Sequence, residues 1–175
     1  TDDLSLMRVA FHEEYSPQDY EEENTAITIE SAQDAIQEGN KTKAKYILDS
    51  LWISDKNNIH ALKLLIKLSF EDKRYGDTID CINEFHKINR DSQLFWFEKS
   101  VCHKQLQDYD SAKLAGEMCR KFQPERVANL INLSDSYRML GDEESARKYL
   151  REVLDREPDN KAAIKLAKIL NLLKN

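Results

Sequence analysis

Residues 127–160 read VANLINLSDSYRMLGDEESARKYLREVLDREPDN, and this stretch decides the fold. Leu130, Leu133, Tyr137 and Leu140 recur at spacings of three and four, which puts them on one face of a helix. Gly141 supplies the left-handed turn that ends such a helix. Asp142 is placed to cap the next helix, and Glu143 and Glu144 suit its positive N-terminus. Ala146, Leu150, Val153 and Leu154 make a second apolar stripe. Pro158 closes the segment, because proline cannot continue a helix. The small side chain of Ala146 lets two helices approach closely. The stretch predicts two helices folded back on each other.

The same pattern recurs outward from this stretch. Pro124 and Pro158 are 34 residues apart, as are Tyr75 and Tyr109, Leu106 and Leu140, Asp108 and Asp142, and Ala112 and Ala146. Ala44 lies two further periods before Ala112, with Thr78 between, and Gly39 precedes Gly141 by three periods. One phase fits without insertion: 25–58, 59–92, 93–126, 127–160 and a partial unit 161–175. A fixed period of this size is the mark of stacked supersecondary units.

The unit resembles the tetratricopeptide repeat, a helix–turn–helix of about 34 residues. The fourth unit carries the resemblance in Leu130, Leu133, Ser134, Tyr137, Gly141, Ala146, Leu150 and Pro158. The third carries it in Trp96, Ser100, Ala112 and Pro124, and departs at Lys99, His103, Gln107, Gly116 and Cys119. The second offers Leu62, Leu65, Tyr75, Thr78 and Ile82, with Lys73 and Arg90 where the pattern has Gly and Pro. The first offers Ala32, Gly39, Ala44 and Leu48, with Thr28, Ser31 and Lys56 off pattern. The resemblance implies an all-α, right-handed superhelical solenoid of antiparallel helix pairs. It also implies a protein–protein interaction role, with the first helix of each pair lining a concave groove. By its register Trp96 belongs in the core, and Phe97 faces the groove. The implied peptide-binding groove holds Ile29, His60, Lys63, Lys67, Phe70, Phe97, Val101, Lys104, Ile131, Asp135 and Arg138. An apolar strip edged with bases suits an amphipathic peptide with acidic flanks. Some members of the superfamily clamp a C-terminal carboxylate with Lys, Asn and Arg from three repeats. No phase of this chain supplies that set: units two to four offer Lys63, Lys67, Glu98, Ala128 and Asn132. Binding of an acidic chaperone tail is therefore not expected.

Composition agrees with a helical protein. Four glycines and three prolines in 175 residues argue against the many turns of an all-β fold and against a glycine-rich nucleotide fold. No apolar run reaches the roughly 18–20 residues of a membrane span, so membrane insertion is not expected. Residues 1–24 hold eight acids against Arg8, a charge of −7, so 25–175 carry +1 and lack the basic footprint of a nucleic-acid binder. Within 1–24, Leu4, Met7, Ala10 and Phe11 share a helical face, Ser16-Pro17 breaks it, and Asp19–Asn24 is an acidic linker. This segment is a cap, a tail, or a piece that occupies a groove. Residues 161–175 form a capping helix with more apolar residues than one face needs, which points to a second contact. Self-association through 1–24 or 161–175 is one form of it.

Three cysteines, Cys81, Cys102 and Cys119, are odd in number and lack CxxC spacing, which suits reduced thiols in a cytoplasmic protein. Nucleophile, phosphate-loop and metal motifs do not occur. Adjacent Cys102 and His103 point about 100° apart on a helix, a poor geometry for a dyad. The chain is thus expected to be an adaptor or scaffold with no catalytic residue, cofactor or metal. The alternatives are a regulatory or structural fragment of a larger enzyme or assembly, and a homo-oligomeric scaffold.

Overall fold

The computed structural model describes residues 26–172. The expectations for residues 1–24 and for the last three residues lie outside the described residues. Among the described residues all regular structure is helical. The helices are α1 (Ile29–Gln37), α2 (Lys41–Ser54), α3 (Ile59–Glu71), α4 (Tyr75–Ile88), α5 (Trp96–Gln105), α6 (Tyr109–Phe122), α7 (Val127–Met139), α8 (Glu143–Arg156) and α9 (Lys161–Ile169).

The helix bounds keep the sequence period. Second helices start at Lys41, Tyr75, Tyr109 and Glu143, each 34 residues after the last, and end at the same interval. First helices end at Gln37, Glu71, Gln105 and Met139, again in steps of 34. Two residues later the chain enters the left-handed region at Gly39, Lys73, Gln107 and Gly141, with φ of 77°, 59°, 62° and 81°. Lys73 and Gln107, off pattern in the sequence, hold the same turn as the glycines at a steric cost. Asn40, Asp108 and Asp142 then cap α2, α6 and α8 by accepting from the backbone N–H three residues on. Bonds from the Ser111 hydroxyl and backbone N–H hold the Asp108 carboxyl below the usual carboxylate range, and bonds from the Ser145 backbone N–H and hydroxyl do the same for Asp142.

Packing sets the curvature. Within each unit the two helices lie against each other, and each second helix packs on the first helix of the next unit. First helices of neighbouring units also meet directly, α5 with α7 and α7 with α9. Second helices meet through long side chains: Tyr149 donates to Glu117 at 2.6 Å, and Arg120 reaches Glu152 at 3.2 Å. That closer approach puts α5, α7 and α9 on the inside of the bend over the later units.

Two apolar cores lie along the stack. Ile47, Leu48, Leu62, Ile66, Ile82 and Phe85 anchor the first, and Leu130, Leu133, Leu150 and Val153 anchor the second. The third unit between them is built of small buried residues, Ser100, Cys102, Ala112, Ala115, Gly116 and Cys119. Here polar bonds replace apolar bulk. Ser100 donates to the Ala112 carbonyl at 2.7 Å, Asn132 to Ser100 at 2.6 Å and Asn129 to the Gly116 carbonyl at 2.9 Å.

Ala163, Leu166 and Ala167 of α9, with Leu170 at its C-cap, turn into the second core, while Ile169 stays 55% exposed.

Candidate interaction face

The residues singled out from the sequence lie on the first helices of the units, α1, α3, α5 and α7. Half-buried Ile29 and Ile131 pack at the edges of the first and second cores. Phe70, Phe97 and Val101 are half-buried, and His60 and Lys67 are exposed. The structure brings the charges together unequally. Asp135 accepts from Arg138 at 2.8 Å and from Lys104 at 3.4 Å, so one carboxylate answers both cations of the later units. In the second unit, Lys63 stands with Nζ 5.9 Å from the Phe85 ring centroid. Among the described residues no carboxylate lies within ion-pair distance of Lys63, Lys67 or Arg90. Asp135 offsets one of the two later cations, whereas Lys63, Lys67 and Arg90 of the second unit have no such partner, so the positive charge is greatest in the second unit.

Phe97 has a partner that the sequence reading missed. Arg126, at the N-terminus of α7, lies 3.9 Å over its ring and 3.5 Å from Glu98. A cation over an aromatic face is favourable, and it leaves only part of Phe97 open. Arg126 is the last residue before α7, so only the folded stack brings it back to the first turn of α5.

Trp96 is not a core residue. It is half-buried, stacks on the His86 ring at 4.2 Å between centroids, and donates Nε1–H to the Ser92 carbonyl at 3.1 Å. The residue that packs against the first core there is Phe95, partly buried and edge-on to Phe85 at 5.0 Å. Phe95 has φ of 67°, so the backbone turns before α5 begins and swings Trp96 outward. A left-handed phenylalanine is strained, and its core contact is what holds it. The tryptophan that is buried is Trp52, 5% exposed at the end of α2.

This late start of α5 leaves a cavity of about 490 Å³ beside the inner face, at the junction of the second and third units. Lys63, Phe85, Ile88, Leu94 and the loop Asn89–Ser92 line it. His86 Nε2 lies 2.9 Å from the Leu94 carbonyl, which only accepts, so Nε2 carries the proton. That bond ties the loop to α4 while the Leu94 side chain remains 45% exposed. Burial holds His86 below its ordinary pKa. The sequence signal for the cavity was Arg90 in place of proline together with three consecutive aromatics, Phe95–Phe97.

Buried Cys102 has its thiol pushed up to about 12 by burial, away from nucleophile chemistry. His103 faces Asp108 at 3.1 Å instead. Asn132, at a clamp position, is buried with its amide on Ser100, so it does not present that amide to a ligand.

A family model described as tetratricopeptide repeat matches residues 127–160. No curated protein matches the chain. Solved structures share the fold. The crystal structure of MamA superposes with a TM-score of 0.74 at 14% identity, covering 81% of this chain and 82% of that one. The Arabidopsis OM64 TPR domain gives 0.59 at 17% identity, over 65% of this chain and 94% of the domain. The first TPR of Spaghetti (RPAP3), solved with the HSP90 peptide SRMEEVD, gives 0.59 at 17%, over 67% and 94%. The fold is an all-α solenoid of tetratricopeptide-repeat type, with residues 127–160 a matched repeat.

Proposed function

We propose that the chain is a non-enzymatic interaction module whose inner face captures a peptide segment of a partner protein. The unit boundaries proposed are 25–58, 59–92, 93–126 and 127–160, with 161–175 as the cap. The observation that carries the reading is the inner face itself. It shows partly open apolar side chains, Phe70, Phe97 and Val101, next to cations without acidic partners, Lys63 and Lys67. An apolar strip beside uncompensated positive charge selects an amphipathic segment with acidic residues on one flank. That flank lies over the second unit, because Asp135 neutralises the fourth. The register lacks the carboxylate-clamp set, so the segment is held along its length and not by a C-terminal carboxylate.

Selection of a displayed peptide library on the full chain tests this. Enriched peptides combine apolar residues with Asp or Glu, bind at micromolar affinity and lose binding to Val101→Glu. Lys63→Glu weakens acidic peptides and spares neutral ones. Peptides insensitive to both changes would refute the inner face as the binding surface.

A further inference from the structure

The cavity between the second and third units has an open mouth, one exposed apolar side chain and unbalanced charge. Leu94 is exposed beside it, Ile88 and the Phe85 ring line it, and Lys63, Lys87 and Arg90 with Asp91 as the one acid supply the charge of its lining. Lys67 stands one helical turn beyond Lys63 on α3. The chain also holds a segment of complementary chemistry. Residues 1–24 carry eight acids against one base, with Leu4, Met7 and Phe11 spaced by three and four.

We propose that residues 1–24 of the same chain dock at this cavity. Leu4, Met7 and Phe11 rest on Leu94 and Ile88, and the carboxylates face Lys63, Lys67 and Arg90. The tether permits it. Ser16–Asn24 spans up to about 30 Å when extended. Neighbouring helices stand about 8–10 Å apart, so a seat against α3 and the C-terminal end of α4 lies about two helix spacings from α1. Tethering raises the local concentration to roughly millimolar, which populates even a weak contact. The docked segment covers the uncompensated cations that an acidic partner would use, so it competes with that partner. The proposal rests on the inner face being a binding surface, but it requires no external partner.

Paramagnetic relaxation in the full chain tests it. A nitroxide on Ser5→Cys reacts selectively, because Cys81, Cys102 and Cys119 are buried. At low salt, the amide signals of Lys63, Arg90 and Leu94 should fall by about twofold or more, given half or greater occupancy at millimolar effective concentration. At about 1 M salt, where screening acts within about 3 Å, they should recover. Lys63→Glu with Arg90→Glu should abolish the broadening, with the melting temperature and amide spectrum of the other units retained. Dilution should leave it unchanged. Broadening that weakens on dilution would overturn docking within one chain, and would assign the seat to a second copy. Broadening centred on another face such as α9, or none, would overturn the seat itself. The two failures are distinguishable, because the broadening is read within the chain with no peptide added, whereas the inner-face reading fails only on peptides insensitive to Val101→Glu and Lys63→Glu.

Discussion

Gly116→Ala should destabilise the chain, although alanine is the better helix former. Gly116 lies within α6, where the exchange gains about 1 kcal/mol in helix propensity. The added Cβ would stand 2.7 Å from Leu133 Cδ2, 2.9 Å from Leu133 Cγ and 3.2 Å from Ser100 Oγ. Contact with Cγ means that turning the leucine tip is not enough. Leu133 is fully buried among Leu130, Leu150 and Val153, so it moves only by disturbing the second core. Ser100 is pinned too, donating to Ala112 at 2.7 Å and accepting from Asn132 at 2.6 Å. Overpacking of this kind costs about 1–3 kcal/mol. Straining the Asn129 bond to the Gly116 carbonyl adds about 1 kcal/mol. The net loss is about 1–3 kcal/mol, a fall in melting temperature of several degrees for a chain of this size, by roughly 2–4 °C per kcal/mol. Urea denaturation and thermal melts measure it. Leu133→Ala alone should cost about 2–5 kcal/mol. The double variant should lose less than the sum of the two by about 1 kcal/mol or more, because the clash disappears with the leucine. A Gly116→Ala variant as stable as the wild type, or strict additivity in the double variant, would refute the account of this contact.

Lys73→Gly and Gln107→Gly should each raise stability by about 0.5–1 kcal/mol, because both residues hold left-handed turns that cost a side chain about 1–2 kcal/mol; lower melting temperatures for both would contradict this. Asp49 is pushed from 3.8 up to about 6 by burial, against the pull of Lys45 at 3.6 Å. A folded pKa above the unfolded one favours the fold below about pH 4, and that advantage is lost as pH rises through about 6, with a ceiling of about 3 kcal/mol. Asp49→Asn lacks this term, so it should gain on the wild type between about pH 4 and 7 in paired urea titrations; a constant gap would count against it. Glu117 accepts from Tyr137 at 2.9 Å and Tyr149 at 2.6 Å, and Glu117→Ala should cost about 2–3 kcal/mol. In the same variant the Tyr149 phenol, raised by burial and then by its bond to Glu117, should titrate at lower pH by absorbance; an unmoved titration would show that the bond is not formed in solution.

What the sequence reveals, and what it hides, follows from how a solenoid is held. Ala44, Thr78, Ala112 and Ala146 recur at 34-residue intervals and are all fully buried, because the same close contact returns in every unit. A recurring demand leaves a recurring residue, so the pairs and their boundaries are legible. At the next recurring position, Leu48, Ile82 and Leu150 are fully buried, and the third unit has Gly116. Read along the chain, Gly116 is a departure. In the fold it is the space that Leu133 of the next unit fills, so the rule is kept by two residues in different units. The charges of the inner face behave in the same way. Register shows that Lys104, Asp135 and Arg138 share a face, but not that Asp135 answers both cations. Nor does it show that Arg126 closes over Phe97. These pairings cross units, and no single-unit pattern contains them. The consequence is functional. An evenly basic rim, as the sequence suggests, would hold an acidic segment in either direction along the face. Under the proposed function, with Arg138 paired to Asp135 and Lys63, Lys67 and Arg90 without an ion-pair partner among the described residues, the acidic end of a bound segment is expected over the second unit, which would give the peptide a preferred direction along the face.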